Sequence, residues 1–517
     1  MYLTQPLHKA LQEKPQSTAL ICADRRHTFT QFVDRVARLA GVLQGLGLQT
    51  GDRVAMMGMN SDRYVEFLYA TWWAGGVVNP VNVRWSEKEV AYSLDDSETH
   101  ILLLDEHFLH LTPQLKLASK ALQTTLFFGN GEGDPALPNV ERLMSTTAPV
   151  SDAMRRGNDL AAVMYTGGTT GRPKGVMLTH GNLYVNQLST LSATERSNSA
   201  VGINTAPMFH VGGAGLTLQL MMRLCKQVIL PVFDEVLLLQ AIQSERATET
   251  FLVPTMLKRV IEHPRFSEFD VSSLQTILYG AAPIDDTLLM QALKALPGVD
   301  FCQVYGMTEL SPVISALPAW CHALDQPAHR RRSAGRPVPI AEVRIVDGAG
   351  HALPCGSVGE ITARGPMVMA GYWNQPEQTA AALQDGWMHT GDGGYMDEDG
   401  FIYVVDRLKD MIITGGENVY SAEVENVITQ LNQVSMCAVL GVPDAQWGER
   451  VHAVVVLRPG QVLQEQDVIE HCKREIAGYK CPRSVEFRTE IPLSPAGKML
   501  KYELRKAFWL GDAHPAN

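Results

Sequence analysis

Residues 165–182 of the chain read YTGGTTGRPKGVMLTHGN, and the strongest signal in the sequence lies here. Glycines at 167, 168 and 171 let the backbone approach an anion closely and present its amide groups as donors. Threonines at 166, 169 and 170 add hydroxyl donors, and Lys174 adds a positive charge. The apolar residues before the loop predict a strand that leads into it. The segment therefore predicts a loop that binds phosphate groups.

The same segment differs from a Walker A loop. That motif needs a contiguous Gly-Lys-Ser/Thr sequence, whereas Arg172 and Pro173 separate Gly171 from Lys174. A nucleotide-binding loop of another class is therefore expected.

Alternation of strands and helices surrounds this loop. Residues 53–57 form a short apolar run that predicts a buried strand, and residues 101–104 form another. Between them, Ser61 is expected to cap a helix whose apolar residues have helical spacing. Gly75 and Gly76 are expected to end that helix. The pattern predicts α/β layers with largely parallel pairing.

The last hundred residues change character. Ser421 is predicted to cap a helix with Val424, Val427, Ile428 and Leu431 on one face. A strand over 451–457 and a helix over 465–477 complete a small α+β unit. We place the domain boundary so that residues 1–408 form the large domain and residues 409–517 the small one.

Composition limits the classes of partner. The chain has 517 residues and a net charge of −11, which gives no basic surface for nucleic acid. Its eight cysteines contain no CxxC pair, so a zinc ribbon is not suggested. We find no signal peptide and no apolar run long enough for a transmembrane segment, and we expect a cytoplasmic protein. The assembly state stays open, with a homodimer as one option.

The loop resembles the signature of the adenylate-forming superfamily, which includes acyl-CoA synthetases. Further motifs of that family occur in order along nearly the whole chain. They are APMFH (206–210), YGMTE (305–309), SAGRP (333–337), GEITARGPMVMAGYWN (359–374), GWMHTGD (386–392), DRLKDMIITGGENVYSAEVE (406–425) and LSPAGKMLK (493–501). The resemblance implies a large α/β adenylate-forming domain of layered sheets and helices, followed by a small mobile α+β domain.

The resemblance also implies a reaction in two halves. A carboxylate attacks the α-phosphate of ATP, which releases pyrophosphate and leaves an acyl-adenylate. A thiol, usually that of coenzyme A, then displaces AMP to give a thioester. The loop residues that the family places against the β- and γ-phosphates are Thr166, Gly167, Gly168, Thr169, Thr170, Gly171 and Lys174.

Further nucleotide contacts carry over from the other motifs. By resemblance, Thr308 donates to the α-phosphate, and Glu309 is the carboxylate for Mg²⁺, a cation that prefers oxygen ligands. Asp392 is expected to bind the ribose hydroxyls, with Arg407 as a second nucleotide contact. Tyr305 offers an aromatic face for adenine, and the remaining residues expected to bind the cofactor are Gly280, Ala281, Ala282, Gly306 and Met307.

The small domain is expected to move between the two half-reactions. The resemblance assigns Lys498 to the substrate carboxylate and the α-phosphate during adenylation, and Lys409 to the pivot. Rotation would bring Gly415, Gly416 and Glu417 to the site, where they line the thiol channel. His210 is the aromatic residue expected at the channel junction. We expect Lys501, in contrast, to lie at the surface.

The acid itself is less defined. The residues that map to the acyl pocket are small or apolar, namely Gly212, Leu216, Tyr279, Val304 and Val313. Such a pocket suits an apolar tail, so medium- or long-chain fatty acids and aryl acids both stay open. Dicarboxylates and free amino acids fit less well, because burying an unpaired charge is costly.

Two other functions are open on the sequence. A stand-alone adenylating enzyme would load the acyl group onto a carrier protein instead of coenzyme A. A non-catalytic nucleotide-binding protein would have no physical need for Thr308, Glu309 and Lys498. An AMP-forming acid–thiol ligase that uses coenzyme A accounts for all the motifs.

Overall fold

The computed structural model describes residues 1–166, 173–407, 410–414, 417–444, 446–494 and 499–508. Over these ranges the chain has an α/β fold, with three sheets in a large N-terminal part and a fourth in a small C-terminal part. The predicted fold class, with a smaller α+β domain at the end, is confirmed.

The helices of the described ranges are α1 (Gln5–Glu13), α2 (Phe29–Gly45), α3 (Asp62–Trp73), α4 (Glu87–Asp96), α5 (Thr112–Ala118), α6 (Val140–Thr146), α7 (His180–Ala193), α8 (Val211–Met222), α9 (Glu235–Glu245), α10 (Pro254–Ile261), α11 (Asp286–Ala295), α12 (Pro376–Ala382), α13 (Ser421–Ile428), α14 (Glu465–Glu475) and α15 (Lys501–Arg505). Among the described residues, no helix combines the length and the apolar character needed to cross a membrane.

The strands of the same ranges are β1 (Thr18–Cys22), β2 (Arg25–Thr28), β3 (Arg53–Met57), β4 (Val77–Pro80), β5 (Ile101–Leu104), β6 (Thr124–Phe127), β7 (Leu160–Thr166), β8 (Lys174–Thr179), β9 (Val201–Asn204), β10 (Lys226–Ile229), β11 (Glu249–Leu252), β12 (Thr276–Gly280), β13 (Asp300–Gly306), β14 (Val313–Leu317), β15 (Arg336–Pro337), β16 (Glu342–Val346), β17 (Gly359–Arg364), β18 (Gly371–Tyr372), β19 (Leu383–Gln384), β20 (Trp387–Met396), β21 (Ile402–Arg407), β22 (Ile412–Thr414), β23 (Glu417–Val419), β24 (Val434–Asp444), β25 (Gly448–Leu457) and β26 (Ser484–Arg488).

Two large sheets form the framework. One has seven strands in the order β18-β8-β7-β4-β3-β5-β6, and the other has nine in the order β15-β14-β13-β12-β11-β9-β10-β1-β2. Their central strands pair in parallel, as does the edge strand β6 with β5, while β8 and β18 in the first sheet and β2, β14 and β15 in the second pair antiparallel. The third sheet, built from β16, β17, β19, β20 and β21, is antiparallel throughout. The predicted parallel pairing therefore holds for most of the two large sheets, which have antiparallel strands at three of their four edges.

The helix predicted after β3 forms as expected. The Ser61 hydroxyl accepts a hydrogen bond from the backbone N–H of Tyr64 at 3.1 Å, which caps α3. The helix ends before Gly75, whose φ of +93° lies in the left-handed region that glycine adopts without strain. Every residue of α3 is buried, so this helix packs on all sides within the large part.

The small part contains the sheet β23-β22-β25-β24, with β26 added in parallel to β25. The predicted strand over 451–457 lies inside β25, and the predicted helix over 465–477 is α14, which ends at Glu475. Two expectations for α13 are wrong. Tyr420 occupies the cap position, and the helix ends at Ile428, before Leu431.

Ser421 is instead the first residue of α13, and it has a different partner. Its backbone N–H and its hydroxyl both donate to one oxygen of Asp406, each at 2.6 Å. Asp406 lies on β21 in the large part, so this contact joins the two parts of the molecule. Lys258 of α10 also donates to the carbonyl of Ser435, which is on β24.

Candidate active site

The phosphate-loop segment lies between two antiparallel strands at the edge of the seven-stranded sheet. Thr166 ends β7 and Lys174 begins β8, and the two are register partners across the hairpin. Residues 167–172 fall outside the described ranges, so the predicted contacts of Gly167, Gly168, Thr169, Thr170 and Gly171 stay predictions. The hairpin fixes both ends of the loop next to each other.

The carboxyl ends of β12 and β13 lie side by side, because Gly280 is the register partner of Val304. A Cβ on Gly280 would lie 2.2 Å from the carbonyl oxygen of Val304. At the end of β13, a Cβ on Gly306 would lie 1.8 Å from the carbonyl oxygen of Pro312. Both positions therefore require glycine for close backbone packing. Ala281, Ala282 and Met307 follow these strand ends directly, in the loops where nucleotides bind in open parallel sheets.

Two predicted nucleotide contacts touch each other. The Tyr305 hydroxyl donates to Oδ2 of Asp392 at 2.6 Å, although the two residues are far apart in sequence. Asp392 is buried, and its backbone N–H donates to the hydroxyl of Thr390. Its register partner on the adjacent strand β21 is Arg407, whose side chain lies outside the described part of the structure. The residues expected at adenine and at ribose thus meet at one point.

Glu309 lies in a short 3₁₀ turn, Thr308–Leu310, just after β13. The Tyr372 hydroxyl donates to Oε1 of Glu309 at 2.9 Å. Burial, together with the charge of Glu309, raises the pKa of Tyr372, so its hydroxyl keeps its proton at neutral pH. The Tyr372 ring also faces Lys174, whose Nζ lies 5.0 Å from the ring centre. Tyr372 was not predicted as a site residue.

The donor set at this turn fits Mg²⁺. Glu309 is a largely buried carboxylate, and the adjacent Thr308 supplies a hydroxyl oxygen. Mg²⁺ in phosphate-transfer sites is commonly held by one or two carboxylates together with substrate phosphates and water. The turn is next to β8, whose first residue is Lys174, so a carboxylate and a cation share the region expected to receive phosphate.

The turn is fixed by side chains that the sequence motifs do not include. Asn186 of α7 donates to the carbonyls of Leu310 and Val313, and Gln187 donates to the carbonyl of Ser311. The Ser311 hydroxyl in turn donates to the carbonyl of Met367. These buried amides could be found from sequence only by knowing that α7 packs behind the turn.

The N-terminus of α8 forms one side of the region predicted for the acid. His210 is the residue before α8, and its ring lies 4.5 Å from that of Phe209, centre to centre. A Cβ on Gly212 would meet nothing within 4 Å, so there is open space beside this residue. A Cβ on Gly213 would lie 2.2 Å from the carbonyl oxygen of Pro207. Leu216, on the next turn, is buried in the apolar core.

Tyr279 lies deeper than a pocket-lining residue would. Its side chain is 0% exposed and packs in the apolar core behind β12. Its hydroxyl lies 2.8 Å from Nε2 of His322, and Nδ1 of His322 lies 3.2 Å from the carbonyl oxygen of Pro318. Since a carbonyl only accepts, we assign the proton to Nδ1 and the acceptor role to Nε2. Val304 and Val313 pack together in a separate small apolar cluster.

Comparison with known proteins identifies the family. Residues 7–373 match the model described as "AMP-binding enzyme", and residues 423–498 match the one described as "AMP-binding enzyme C-terminal domain". This chain belongs to the AMP-binding enzyme family. The predicted membership of the adenylate-forming superfamily is confirmed, as is the prediction of an enzyme of the AMP-forming acid–thiol ligase type.

Individual relatives cover nearly the whole AMP-binding enzyme. A feruloyl-CoA synthase from Amycolatopsis sp is 39% identical over 97% of this chain and 98% of the relative. A fatty acid–[acyl-carrier-protein] ligase, ScoC, from Streptomyces coeruleorubidus is 34% identical over 98% and 96%. Among solved structures, the anthranilate CoA ligase AuaEII in complex with anthranoyl-AMP has a TM-score of 0.91 and 25% identity, covering 99% of this chain and 98% of that one.

Several predicted residues of this AMP-binding enzyme lie outside the described ranges. They are Lys409, Gly415, Gly416 and Lys498. Glu417, which follows the glycines, begins β23 and is exposed. The roles predicted for these residues stay predictions.

The prediction that Lys501 lies at the surface is wrong. Its side chain is only 12% exposed, and its Nζ lies 2.7 Å from Oε1 of Glu425 on α13. The Lys501 ammonium also donates to the Ser421 hydroxyl. Burial opposes the charged form, but Glu425 and Asp406 outweigh it and raise the pKa of Lys501. The lysine therefore ties α15 to α13 inside the small part of this AMP-binding enzyme.

Proposed function

We propose that this enzyme uses ATP to activate a carboxylic acid as an acyl-adenylate and then transfers the acyl group to coenzyme A. The observation that carries the proposal is the convergence of residues from separate motifs. Lys174 and Glu309 both contact Tyr372, and Asp392 contacts Tyr305. Cations, carboxylates and hydroxyl groups predicted for phosphate, metal and ribose are thus paired as nucleotide chemistry would require.

Each group has a role that the chemistry requires. Attack on the α-phosphate builds negative charge on phosphate oxygens, which fixed donors and cations stabilise. We assign Thr166, the loop glycines and threonines, and Lys174 to the departing pyrophosphate. Thr308 donates to the α-phosphate, and Asp392 accepts hydrogen bonds from the ribose hydroxyls. Mg²⁺, held by Glu309, would supply positive charge at the phosphates.

The acid is best described as aryl or fatty, with an aryl acid of the cinnamate type favoured. The 39% identity to a feruloyl-CoA synthase supports the aryl assignment. The open space beside Gly212 leaves room for a ring at the start of α8. The relative ScoC, a fatty acid ligase, keeps a fatty acid as the second candidate.

The relatives suggest two candidates for the acceptor thiol, coenzyme A and a carrier protein. Coenzyme A is favoured by the feruloyl-CoA synthase, and a carrier protein by ScoC. A pyrophosphate-release screen over cinnamic, benzoic and fatty acids would identify the substrate class. Mass spectrometry of the product, with either coenzyme A or a carrier protein supplied, would identify which of these two acceptors the enzyme uses. Absence of pyrophosphate release with every acid would refute the proposal.

Lys498 provides a sharper test of the two-step reaction. We predict that Lys498→Ala slows acyl-adenylate formation at least a hundredfold, because the developing charge loses its mobile cation. Thioester formation from supplied acyl-adenylate should be largely retained, since this step uses the other arrangement of the small domain. Exposed Lys506, replaced by alanine, is the control. Equal loss in both half-reactions would contradict the assignment.

The mobile arrangement is part of the proposal. We propose residues 1–408 and 409–517 as the two domains, Lys409 as the pivot, and Gly415, Gly416 and Glu417 as the lining of the thiol channel with His210 at its junction. We also propose a cytoplasmic location, and the assembly state stays open with a homodimer as one option.

A further inference from the structure

Tyr372 is the described residue that contacts both predicted phosphate-binding partners. Its hydroxyl donates to Glu309 at 2.9 Å, and its ring centre lies 5.0 Å from Nζ of Lys174. Tyr372 is only 7% exposed and Glu309 only 6%, so the hydrogen bond between them is shielded from water, while Lys174 is half-buried. A hydrogen bond and a cation–π contact are stronger in such surroundings than at a surface.

The backbone around Tyr372 is fixed from both sides. Gly371 and Tyr372 form β18, which pairs with β8, the strand that begins at Lys174. On the other side, the backbone N–H of Met369 donates to the carbonyl of Glu309 at 2.8 Å. The N–H of Tyr372 itself donates to the Thr379 hydroxyl at 2.9 Å. The tyrosine therefore has little freedom to leave either partner.

We propose that Tyr372 is a positioning residue that holds the Glu309 carboxylate and the Lys174 ammonium in register for metal-bound ATP. The inference rests on the proposed function and adds a residue to it. Fixing one oxygen of Glu309 sets the plane of the carboxylate, so the group presents its charge to the metal in one direction. Residues that orient a metal ligand in this way commonly change metal affinity by 10–100-fold when they are removed.

The variants separate the two contacts. Tyr372→Phe keeps the ring against Lys174 and removes only the hydroxyl. Tyr372→Leu removes both contacts. Tyr403→Phe is the matched control, because the Tyr403 hydroxyl also donates to a carboxylate, that of Asp397 at 3.1 Å, while its ring packs in a different apolar cluster from Tyr372.

The measurement is the binding of Mn²⁺ in the presence of α,β-methylene-ATP, followed by electron paramagnetic resonance. We expect Tyr372→Phe to weaken Mn²⁺ binding about tenfold and to leave metal-free binding of the analogue within twofold of wild type. Tyr372→Leu should weaken metal-free analogue binding as well, because Lys174 loses its contact. Tyr403→Phe should match wild type in both measurements.

A double-mutant cycle tests whether Tyr372 acts through Glu309. If it does, the Glu309→Gln and Tyr372→Phe double variant binds Mn²⁺ no more weakly than Glu309→Gln alone. Additive losses, or wild-type Mn²⁺ affinity in Tyr372→Phe, would overturn the inference. Affinity is measured for the folded fraction, counted from the stoichiometry of analogue binding, so a lowered melting temperature does not obscure the result.

The test is independent of the acid. No carboxylic acid is present in the binding measurement, so the role of Tyr372 is decided even if the substrate screen gives no pyrophosphate. A wild-type chain that binds the Mn²⁺ complex but activates no acid would refute the proposed function and leave the positioning role intact.

Discussion

Glu309 is held by both its backbone and its side chain. Its carbonyl accepts from Met369, and its carboxylate accepts from Tyr372, so the turn and the charge are fixed together. A carboxylate fixed before the metal arrives pays less ordering entropy when it binds. The residue is therefore suited to hold a weakly bound cation such as Mg²⁺.

We predict that Glu309→Gln lowers activity and raises the Mg²⁺ concentration needed for half-maximal pyrophosphate release. Glutamine keeps the size of the side chain and an oxygen for Tyr372, but it lacks the negative charge that attracts the cation. The measurement is a Mg²⁺ titration at saturating ATP, with Glu398→Gln, at the surface, as a control. A titration curve identical to that of wild type would remove Glu309 from the metal site.

His322 gives a pH-dependent contribution to stability. Burial lowers its pKa from 6.5 to about 4, whereas the unfolded chain titrates near the ordinary value. Between these values the unfolded state binds the extra proton, so the stability that neutral His322 supplies is present above pH 6.5 and is lost as the pH falls toward 4. At pH 5 the loss amounts to roughly 2 kcal/mol.

The comparison that isolates this contribution is wild type against His322→Gln, whose amide oxygen can still accept from Tyr279. Thermal melts at pH 7.5 and pH 5.0 should show a larger drop in Tm for wild type than for the variant. Equal drops would mean that His322 is not the group that titrates.

The sequence predicts the role of a single residue only where that residue belongs to a recognised family motif. The motifs predict Tyr305, Glu309 and Asp392 as site residues, but they predict neither the hydrogen bond from Tyr305 to Asp392 nor the one from Tyr372 to Glu309. Lys501 was misplaced because its spacing from Lys498 carries no information about burial. Its partner, Glu425, lies on a different helix, and only the packed structure brings them together.

At the level of elements, α8 shows how adjacent glycines differ. A Cβ on Gly212 meets open space, whereas one on Gly213 would collide with the backbone carbonyls of Pro207 and Ala206. The sequence presents the two glycines as equivalent, although only Gly212 is predicted to line the acyl pocket. The structure gives Gly213 a packing role instead.

We predict that Gly213→Ala lowers the free energy of unfolding by about 1–3 kcal/mol, because backbone atoms must shift to admit the methyl group. Gly212→Ala should be neutral or slightly stabilising, since alanine favours the helix by up to about 1 kcal/mol. Chemical denaturation of both variants gives the difference. A larger loss for Gly212→Ala than for Gly213→Ala would contradict the geometry.

Elements with continuous apolar runs were predicted well. β3, β5 and β25 follow from buried β-branched and aliphatic residues, and α3 from its cap and its stop. The predicted start of α13 is wrong because the Ser421 hydroxyl donates to Asp406 on β21 and does not cap α13. The order of strands in the sheets was beyond prediction, since neighbours such as β9 and β11 are joined by contacts that no local pattern encodes.

At the level of the whole molecule, the pivot that we propose at Lys409, between the two parts, can be tested. We predict that Lys409→Pro traps one arrangement of the small domain, because proline fixes φ near −65°. Acyl-adenylate should accumulate while thioester formation slows at least tenfold.

Single-turnover rates of the two half-reactions provide the measurement. Lys506→Pro is not used as a control, because Lys506 lies at the end of α15. Lys409→Ala, which leaves φ free, is the matched comparison. Wild-type rates in both half-reactions of the proline variant would place the pivot elsewhere.

The contact between Asp406 and Ser421 also affects the equilibrium between the described arrangement of the small domain and the rotated one. It joins a strand of the large part to the first turn of α13 through two hydrogen bonds to a carboxylate. Hydrogen bonds to charged groups contribute about 1.5–3 kcal/mol each, so even one that is made only in the described arrangement favours that arrangement by about tenfold or more. A ligand that drives the small domain away must therefore bind the rotated form more tightly by at least that factor, and the resting enzyme is expected to populate that form only as a minority species.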